Sequence, residues 1–190
     1  MTNALTPETR SKMHQPARDQ RVFIVSRRAA DGERVWICTN NDNTKAAHIY
    51  SIRPDVDTAW TTERTTTDLG GTLFRGYNSL AAIGGQLYAA TGAPAGFAAI
   101  IEKRTAAGVW STELTAGSSA AAGYYDALIV WGGNLYAQQS YSTTLINVVR
   151  QVSVGSWVTD KDMLAAGSTS SGYFLSTPDL LFASAPPRVF

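Results

Sequence analysis

"AAIGGQLYAAT" (residues 81–91) and "LIVWGGNLYAQQ" (residues 128–139) are two versions of one phrase. In each, an apolar run meets Gly-Gly and a polar residue, and a second apolar run follows. Two apolar runs that flank such a turn predict a β-hairpin. A Gly-Tyr pair precedes each phrase, and a Trp follows each one further along the chain (Trp110 and Trp157). The phrase therefore belongs to a longer repeated unit.

The repeated unit is just under fifty residues long. A third copy begins at "GYFLSTPDLLFAS" (residues 172–184), and a more divergent copy lies upstream. The units cover about residues 21–66, 73–115, 122–162 and 171–190. Fixed periods of roughly 20 to 50 residues indicate solenoids, propellers or arrays.

Each unit contains apolar runs that suit four short strands. The pattern predicts an all-β fold that is β-propeller-like, with about four blades of four antiparallel strands and an incomplete last blade. A β-sandwich built from the same hairpins is the alternative. The ring closes in one of two ways: residues 1–20 supply the missing outer strand, or another subunit completes the edge. Residues 1–20 themselves are either a disordered tail or an arm that docks on a neighbouring subunit.

Two turn segments carry a resemblance to known families. "TAAGVWS" (residues 105–111) and "SVGSWVT" (residues 153–159) resemble degenerate Asp-box turns that lack the Asp. With the Gly-Gly hairpins, they make residues 21–190 similar to kelch-like or sialidase-like propellers. The resemblance implies the fold, but propellers serve as enzymes, lectins and scaffolds alike.

The composition excludes several classes of function. A formal net charge of +1 argues against a general nucleic-acid surface. Cys38 is the only cysteine, so neither an intrachain disulfide nor a multi-cysteine zinc site can form. We expect no signal peptide and no membrane insertion, because residues 1–20 lack an apolar core and no run of about 18 apolar residues occurs.

The residues that carry chemistry form no recognisable catalytic or metal motif. His14 and His48 are the only histidines, and neither has a metal-site spacing. The closely spaced carboxylates Asp55 and Asp57 are typical of turns, and "DKD" (residues 160–162) lacks the rest of a calcium loop. We therefore expect no catalytic residue, no bound metal and no cofactor.

Two polar segments are candidates for a ligand-binding surface. "NNDNTK" (residues 40–45) and "AQQSYSTT" (residues 137–144) are predicted to occupy the same loop, after the second strand, in two units. Amides and exposed aromatic rings are groups that a carbohydrate-binding loop uses. The candidate residues are Asn40, Asn41, Asn43, Gln138, Gln139 and Tyr141.

Two classes of function remain, with a third that is weaker. The first is a non-enzymatic structural or recognition component of a virus particle, such as a bacteriophage tail, fibre or capsid-surface protein. It would assemble with other virion proteins or identical subunits through residues 1–20, and it would contact a host-surface glycan. The alternative is a free-standing, cytoplasmic, lectin-like propeller that binds glycans. The third is a glycosidase remnant, which would place two carboxylates and an arginine cluster in one pocket.

Overall fold

The structure is a computed structural model of the 190-residue chain. It describes residues 21–29, 32–40, 44–116, 123–141 and 145–162. Side chains are described from residue 34 onward within these ranges, except at positions 126, 141, 145, 146, 161 and 162. The predicted arm (residues 1–20) and the predicted fourth unit (residues 171–190) lie outside the described residues.

Twelve strands make up three units of four in the described part of the chain. Unit 1 contains β1 (Arg21–Ala29), β2 (Gly32–Asn40), β3 (His48–Ile52) and β4 (Thr61–Thr65). Unit 2 contains β5 (Gly76–Ile83), β6 (Gln86–Ala93), β7 (Ile100–Arg104) and β8 (Trp110–Thr115). Unit 3 contains β9 (Gly123–Trp131), β10 (Asn134–Tyr141), β11 (Leu145–Ser153) and β12 (Ser156–Asp162).

The repeated phrase forms the first hairpin of units 2 and 3. Gly84 and Gly85 connect β5 to β6 with φ angles of 57° and 74°. Gly132 and Gly133 connect β9 to β10 with φ angles of 55° and 78°. Two successive positive φ angles define a type I′ turn, whose twist matches that of the flanking strands. The predicted hairpins are confirmed, and the Gly-Gly pairs are required by the turn.

Each unit is an antiparallel meander in which strands pair in chain order. Units 2 and 3 are also joined by a short ladder of two residue pairs between β6 and β9. At that junction a Cβ on Gly92 would lie 2.5 Å from the Tyr124 ring, which explains the glycine. The first strands lie inside, because β5 also lies against β2 and β9. Burial falls from β5 to β8, so the fourth strand lies at the solvent edge.

The units stack face to face through apolar side chains. We call the face of a unit that lies towards the following unit its front face, and the opposite face its back face. The front face of unit 1 meets the back face of unit 2 through Trp36, Cys38, Ile49, Leu80, Leu87 and Ala89. The front face of unit 2 meets the back face of unit 3 through Tyr88, Ala90, Ile101, Leu128, Leu135 and Ala137.

The predicted all-β class of four-stranded antiparallel units is confirmed. The strands form a curled antiparallel sheet, which is compatible with a propeller-like arrangement and with a β-sandwich. The alternation of apolar residues along the second strand explains how unit 2 packs against a neighbour on each of its faces. Successive side chains of a strand point to opposite faces, so "LYA" sends Leu and Ala backward and Tyr forward.

We expect Gly84→Val to destabilise the fold by about 1–2 kcal/mol, because a β-branched residue fits poorly at a φ of 57°. Gly84→Asn is the matched control, since Asn tolerates this backbone conformation and should retain most of the stability. Urea denaturation followed by tryptophan fluorescence measures both variants. Equal midpoints for the two variants would contradict the turn assignment.

Candidate functional site

The seam between units 1 and 2 contains a cluster of charged side chains around Glu63 of β4. Arg104 of unit 2 donates to Glu63 Oε2 over 3.0 Å. Within unit 1, the Ser51 hydroxyl donates to Glu63 Oε1 over 2.6 Å, and Arg34 lies 3.5 Å from the same oxygen. The Trp36 ring lies beneath both guanidinium groups, 4.9 Å from Arg104 and 5.8 Å from Arg34. Glu63 therefore connects the two units through its two oxygens.

A second carboxylate, Glu102 of β7, lies in the same seam. The Tyr77 hydroxyl donates to Glu102 Oε2 over 2.6 Å, and Arg64 of unit 1 donates to Oε1 over 2.5 Å. Burial raises the pKa of Tyr77 well above 10, and the negative charge of Glu102 raises it further. A tyrosine beside a carboxylate can serve as a nucleophile in some glycoside hydrolases. Here Tyr77 and Glu102 are both buried, so a substrate cannot reach the phenol oxygen in this conformation.

The seam between units 2 and 3 is bridged by Glu113 of β8. Its Oε1 accepts a hydrogen bond of 2.6 Å from the Gln151 amide and one of 2.5 Å from the Gly155 backbone N–H, both in unit 3. Its Oε2 lies 2.7 Å from the Lys103 ammonium of its own unit. Burial raises the pKa of Glu113, but the Lys103 bond and the donors from unit 3 outweigh it, and the pKa lies below its ordinary value.

The two bridging carboxylates occupy equivalent positions. Glu63 follows Trp60 by three residues, and Glu113 follows Trp110 by three residues. Their partners in the following unit are also equivalent, because Arg104 lies opposite Trp110 in the strand register and Gln151 lies opposite Trp157. Each bridge therefore runs from the fourth strand of one unit to the third strand of the next.

The bridging acids share a sequence pattern, and none of them is among the candidate residues predicted from the sequence. A Trp followed after two residues by a carboxylate occurs in all three described units, at Trp60-Glu63, Trp110-Glu113 and Trp157-Asp160. The spacing alone could have drawn attention to these acids as a set. Their partners could not be identified in this way, since they lie 38 and 41 residues away along the chain.

A groove of about 260 Å³ lies between units 2 and 3, and Gln151, a partner of Glu113, is one of its lining residues. Apolar side chains and uncharged polar groups line it: Ile83, Gln86, Tyr88, Asn134, Leu135, Gln151 and Val152, with the two Gly-Gly turns at its rim. The polar groups bond to one another, since the Tyr88 hydroxyl donates to Gln86 over 2.9 Å. The lining is of the kind that takes a neutral, hydroxyl-rich ligand rather than an ion.

The candidate ligand residues from the sequence are dispersed, and the four that the structure describes lie in strands rather than in the predicted loop. Gln138 and Gln139 lie inside β10 rather than in a loop after it, and Gln138 is buried. The strand continues to Tyr141, whose side chain is not described. Asn40 ends β2 and donates to Asn78 over 2.5 Å. Asn41 and Asn43 lie outside the described residues.

The other residues with reactive or titratable side chains take part in packing, hydrogen bonds or ion pairs within the fold. Cys38 is buried in the seam between units 1 and 2. His48 begins β3, its ring Nδ1 lies 3.0 Å from the Thr65 hydroxyl, and burial lowers its pKa. Asp57 binds Arg53 over 2.7 Å within the predicted turn. Over the described ranges, no cluster of three or more His, Cys, Asp or Glu residues could hold a metal ion.

The described residues contain no helix long and apolar enough to cross a membrane. Comparisons with known protein families, with curated proteins and with solved structures each found no significant match.

We expect Glu113→Gln to destabilise the fold by about 1–3 kcal/mol at neutral pH, because it removes a charged acceptor with three donors around it. The pKa of Glu113 is lower in the folded than in the unfolded chain. Its contribution is therefore full above about pH 5 and is lost as the pH falls through the folded pKa. The difference between wild type and variant should shrink towards pH 3.

Urea denaturation at a series of pH values between roughly 3 and 7 measures this effect. Asp55→Asn is the matched control, since Asp55 is exposed in a turn and the substitution makes the same change in charge. If the Glu113→Gln and wild-type midpoints differed by the same amount at every pH, the ion pair would not be the source of the stabilisation.

Proposed function

We propose that the chain is a non-enzymatic structural or recognition component of a virus particle, of the bacteriophage tail, fibre or capsid-surface kind. The observation that carries the proposal is that the carboxylates in the seams are bound in contacts between units. Glu63, Glu102 and Glu113 all join one unit to the next, and each is held by Arg, Lys or Tyr donors. Such carboxylates stabilise a rigid stack and leave its outer surface for contacts with other molecules.

The glycosidase remnant gains little support from the same residues. Two carboxylates and three arginines do converge between units 1 and 2: Glu63, Glu102, Arg34, Arg64 and Arg104. However, each carboxylate forms an ion pair with an arginine of the neighbouring unit. Glycosidases need one carboxylic acid with a raised pKa and room for a sugar ring between two carboxyl groups. The convergence is better explained as an interface between sheets.

The assembly part of the proposal concerns residues 1–20, which carry Pro7, Pro16 and scattered charges without an apolar period. The exposed fourth strands are short and polar, as in "TTERT" of β4 (Thr61–Thr65). Charged and polar edge strands disfavour strand addition between subunits. A separate arm is therefore the element that we assign to contacts with identical subunits or other virion proteins.

We expect the full chain to form a defined oligomer that dissociates when residues 1–20 are deleted. Light scattering gives the native mass of both forms, and the mass should fall to that of one subunit. The control keeps the length of the arm but replaces it with a Gly/Ser segment. A monomer for the full chain would contradict arm-mediated assembly.

Glycan recognition is the second candidate, and the groove between units 2 and 3 favours it. Its amides and its Tyr-lined wall are groups that pair with sugar hydroxyls and pack against a sugar ring. This site differs from the predicted Asn and Gln segments, because Gln139 does not line it.

We expect a glycan array to detect binding that Gln86→Ala weakens by about tenfold or more, since it removes one hydrogen-bonding group from the groove. Gln139→Ala is the matched control and should leave the affinity unchanged. If Gln139→Ala weakened binding and Gln86→Ala did not, the binding site would lie in the segment predicted from the sequence. If the chain bound no glycan, glycan recognition would be rejected as a function.

A further inference from the structure

The front face of unit 3 is equivalent to two faces that are covered by a following unit. Tyr136 occupies in unit 3 the position that Tyr88 occupies in unit 2, as the register of the first hairpins shows. Trp36 of unit 1 matches them in the pairing of the second strand with the third, where it lies opposite Ser51 as Tyr88 lies opposite Lys103. Trp36 and Tyr88 are both buried against the next unit, whereas Tyr136 is only half-buried.

The apolar residues around Tyr136 are larger and more exposed than their counterparts in unit 2. Ile129 lies opposite Tyr136, where unit 2 has the small residue Ala81 opposite Tyr88. Trp131 has 54% of its surface exposed, and its ring centre is 6.0 Å from that of Tyr136. The equivalent surfaces of units 1 and 2 are covered by the next unit. An exposed apolar surface at such a position marks an interaction site.

The acidic residue of the bridge is also present on this face. Asp160 is 40% exposed, compared with 13% for Glu63 and 3% for Glu113. Its bond of 3.0 Å goes to Arg150 of its own unit. The carboxylate is thus in the position from which Glu63 and Glu113 reach the following unit.

We propose that the front face of unit 3 is the docking surface for residues 171–190 of the same chain. This segment repeats the second-strand pattern of the units that do dock. Leu181, Phe182 and Ala183 follow the order Leu-Tyr-Ala of residues 87–89 and 135–137. In units 2 and 3 the Leu and the Ala of that pattern lie on the back face, against the preceding unit.

The connection has a suitable length. Residues 163–171 make nine residues between β12 and Gly172, compared with ten (66–75) and seven (116–122) between the described units. A segment tethered by nine residues is also at a high effective concentration, which favours intramolecular docking.

A second copy of the chain is a less suitable occupant. To continue the same stacking, it would have to offer the back face of its own unit 1. That face is already closed, because Val35, Ile37 and Ile52 are at most 3% exposed. The geometry therefore favours a segment of the same chain.

Thiol labelling of the full chain tests the proposal. Val148→Cys introduces a nearly isosteric reporter, since Val148 lies on the same face as Tyr136 and is half-buried. Leu181→Asp should weaken docking and raise the labelling rate of this thiol by about tenfold or more. Val109→Asp is the control, because Val109 is exposed in the β7–β8 turn and the same charge there should leave the rate unchanged. Cys38 is buried, so its slow labelling shows that the fold remains intact.

The labelling rates distinguish docking within the chain from docking of a second copy and from no docking. Acceleration by Leu181→Asp alone, independent of protein concentration, supports docking within the chain. A rate that Leu181→Asp leaves unchanged overturns the proposal, and so does a reporter whose protection depends on protein concentration, which would identify a second copy as the occupant.

If Leu181→Asp also exposes Cys38, the milder variants Tyr136→Ala and Leu181→Ala replace it. Residues in contact give non-additive shifts of the urea midpoint, whereas distant residues give additive ones. The pair Tyr136→Ala and Leu181→Ala should be non-additive, and the pair Tyr88→Ala and Leu181→Ala should be additive. Additivity in both pairs would overturn the proposal.

Discussion

Each four-stranded unit of this chain has apolar side chains on both faces, and this constraint governs the architecture. Leu87 and Tyr88 are neighbours on β6, yet one packs against unit 1 and the other against unit 3. A sheet of this kind cannot bury its apolar surface alone and is stable only between two neighbours. The stacking of the units, the exposure of the fourth strands and the polar bridges between units all follow from it.

The bridges favour one register between neighbouring units. Apolar contacts alone would not do so, because they are not directional. A buried carboxylate is expensive to desolvate, and its pairing often does little more than offset that loss. A mispaired stack would leave Glu63 or Glu113 without its donors, so the bridges disfavour wrong registers between units. Because Trp60 and Trp110 precede these acids at the same spacing, the repeat carries the bridge as well as the core.

The sequence predicted the features that are local in the chain and missed those that depend on distant residues. The Gly-Gly turns at 84–85 and 132–133 could be predicted because a type I′ turn needs two positive φ angles. The polar segment "AQQSYSTT" was interpreted as a loop from its composition, but β10 continues to Tyr141. Within this strand Gln138 lies on the same face as Tyr136 and is buried, so composition alone did not identify it as a strand residue. The Glu63–Arg104 bridge joins residues 41 apart, which no local pattern encodes.

The polarity of the outer strands restricts how this chain can contact other molecules. β8 (Trp110–Thr115) has no buried residue, and β4 is similarly exposed and rich in Thr and charged residues. Edges of this composition resist the addition of a foreign strand. The inner strands are buried, so they cannot serve as a contact surface either. Partners must therefore bind at an uncovered sheet face, in the grooves between units, or through residues that lie beyond the three units.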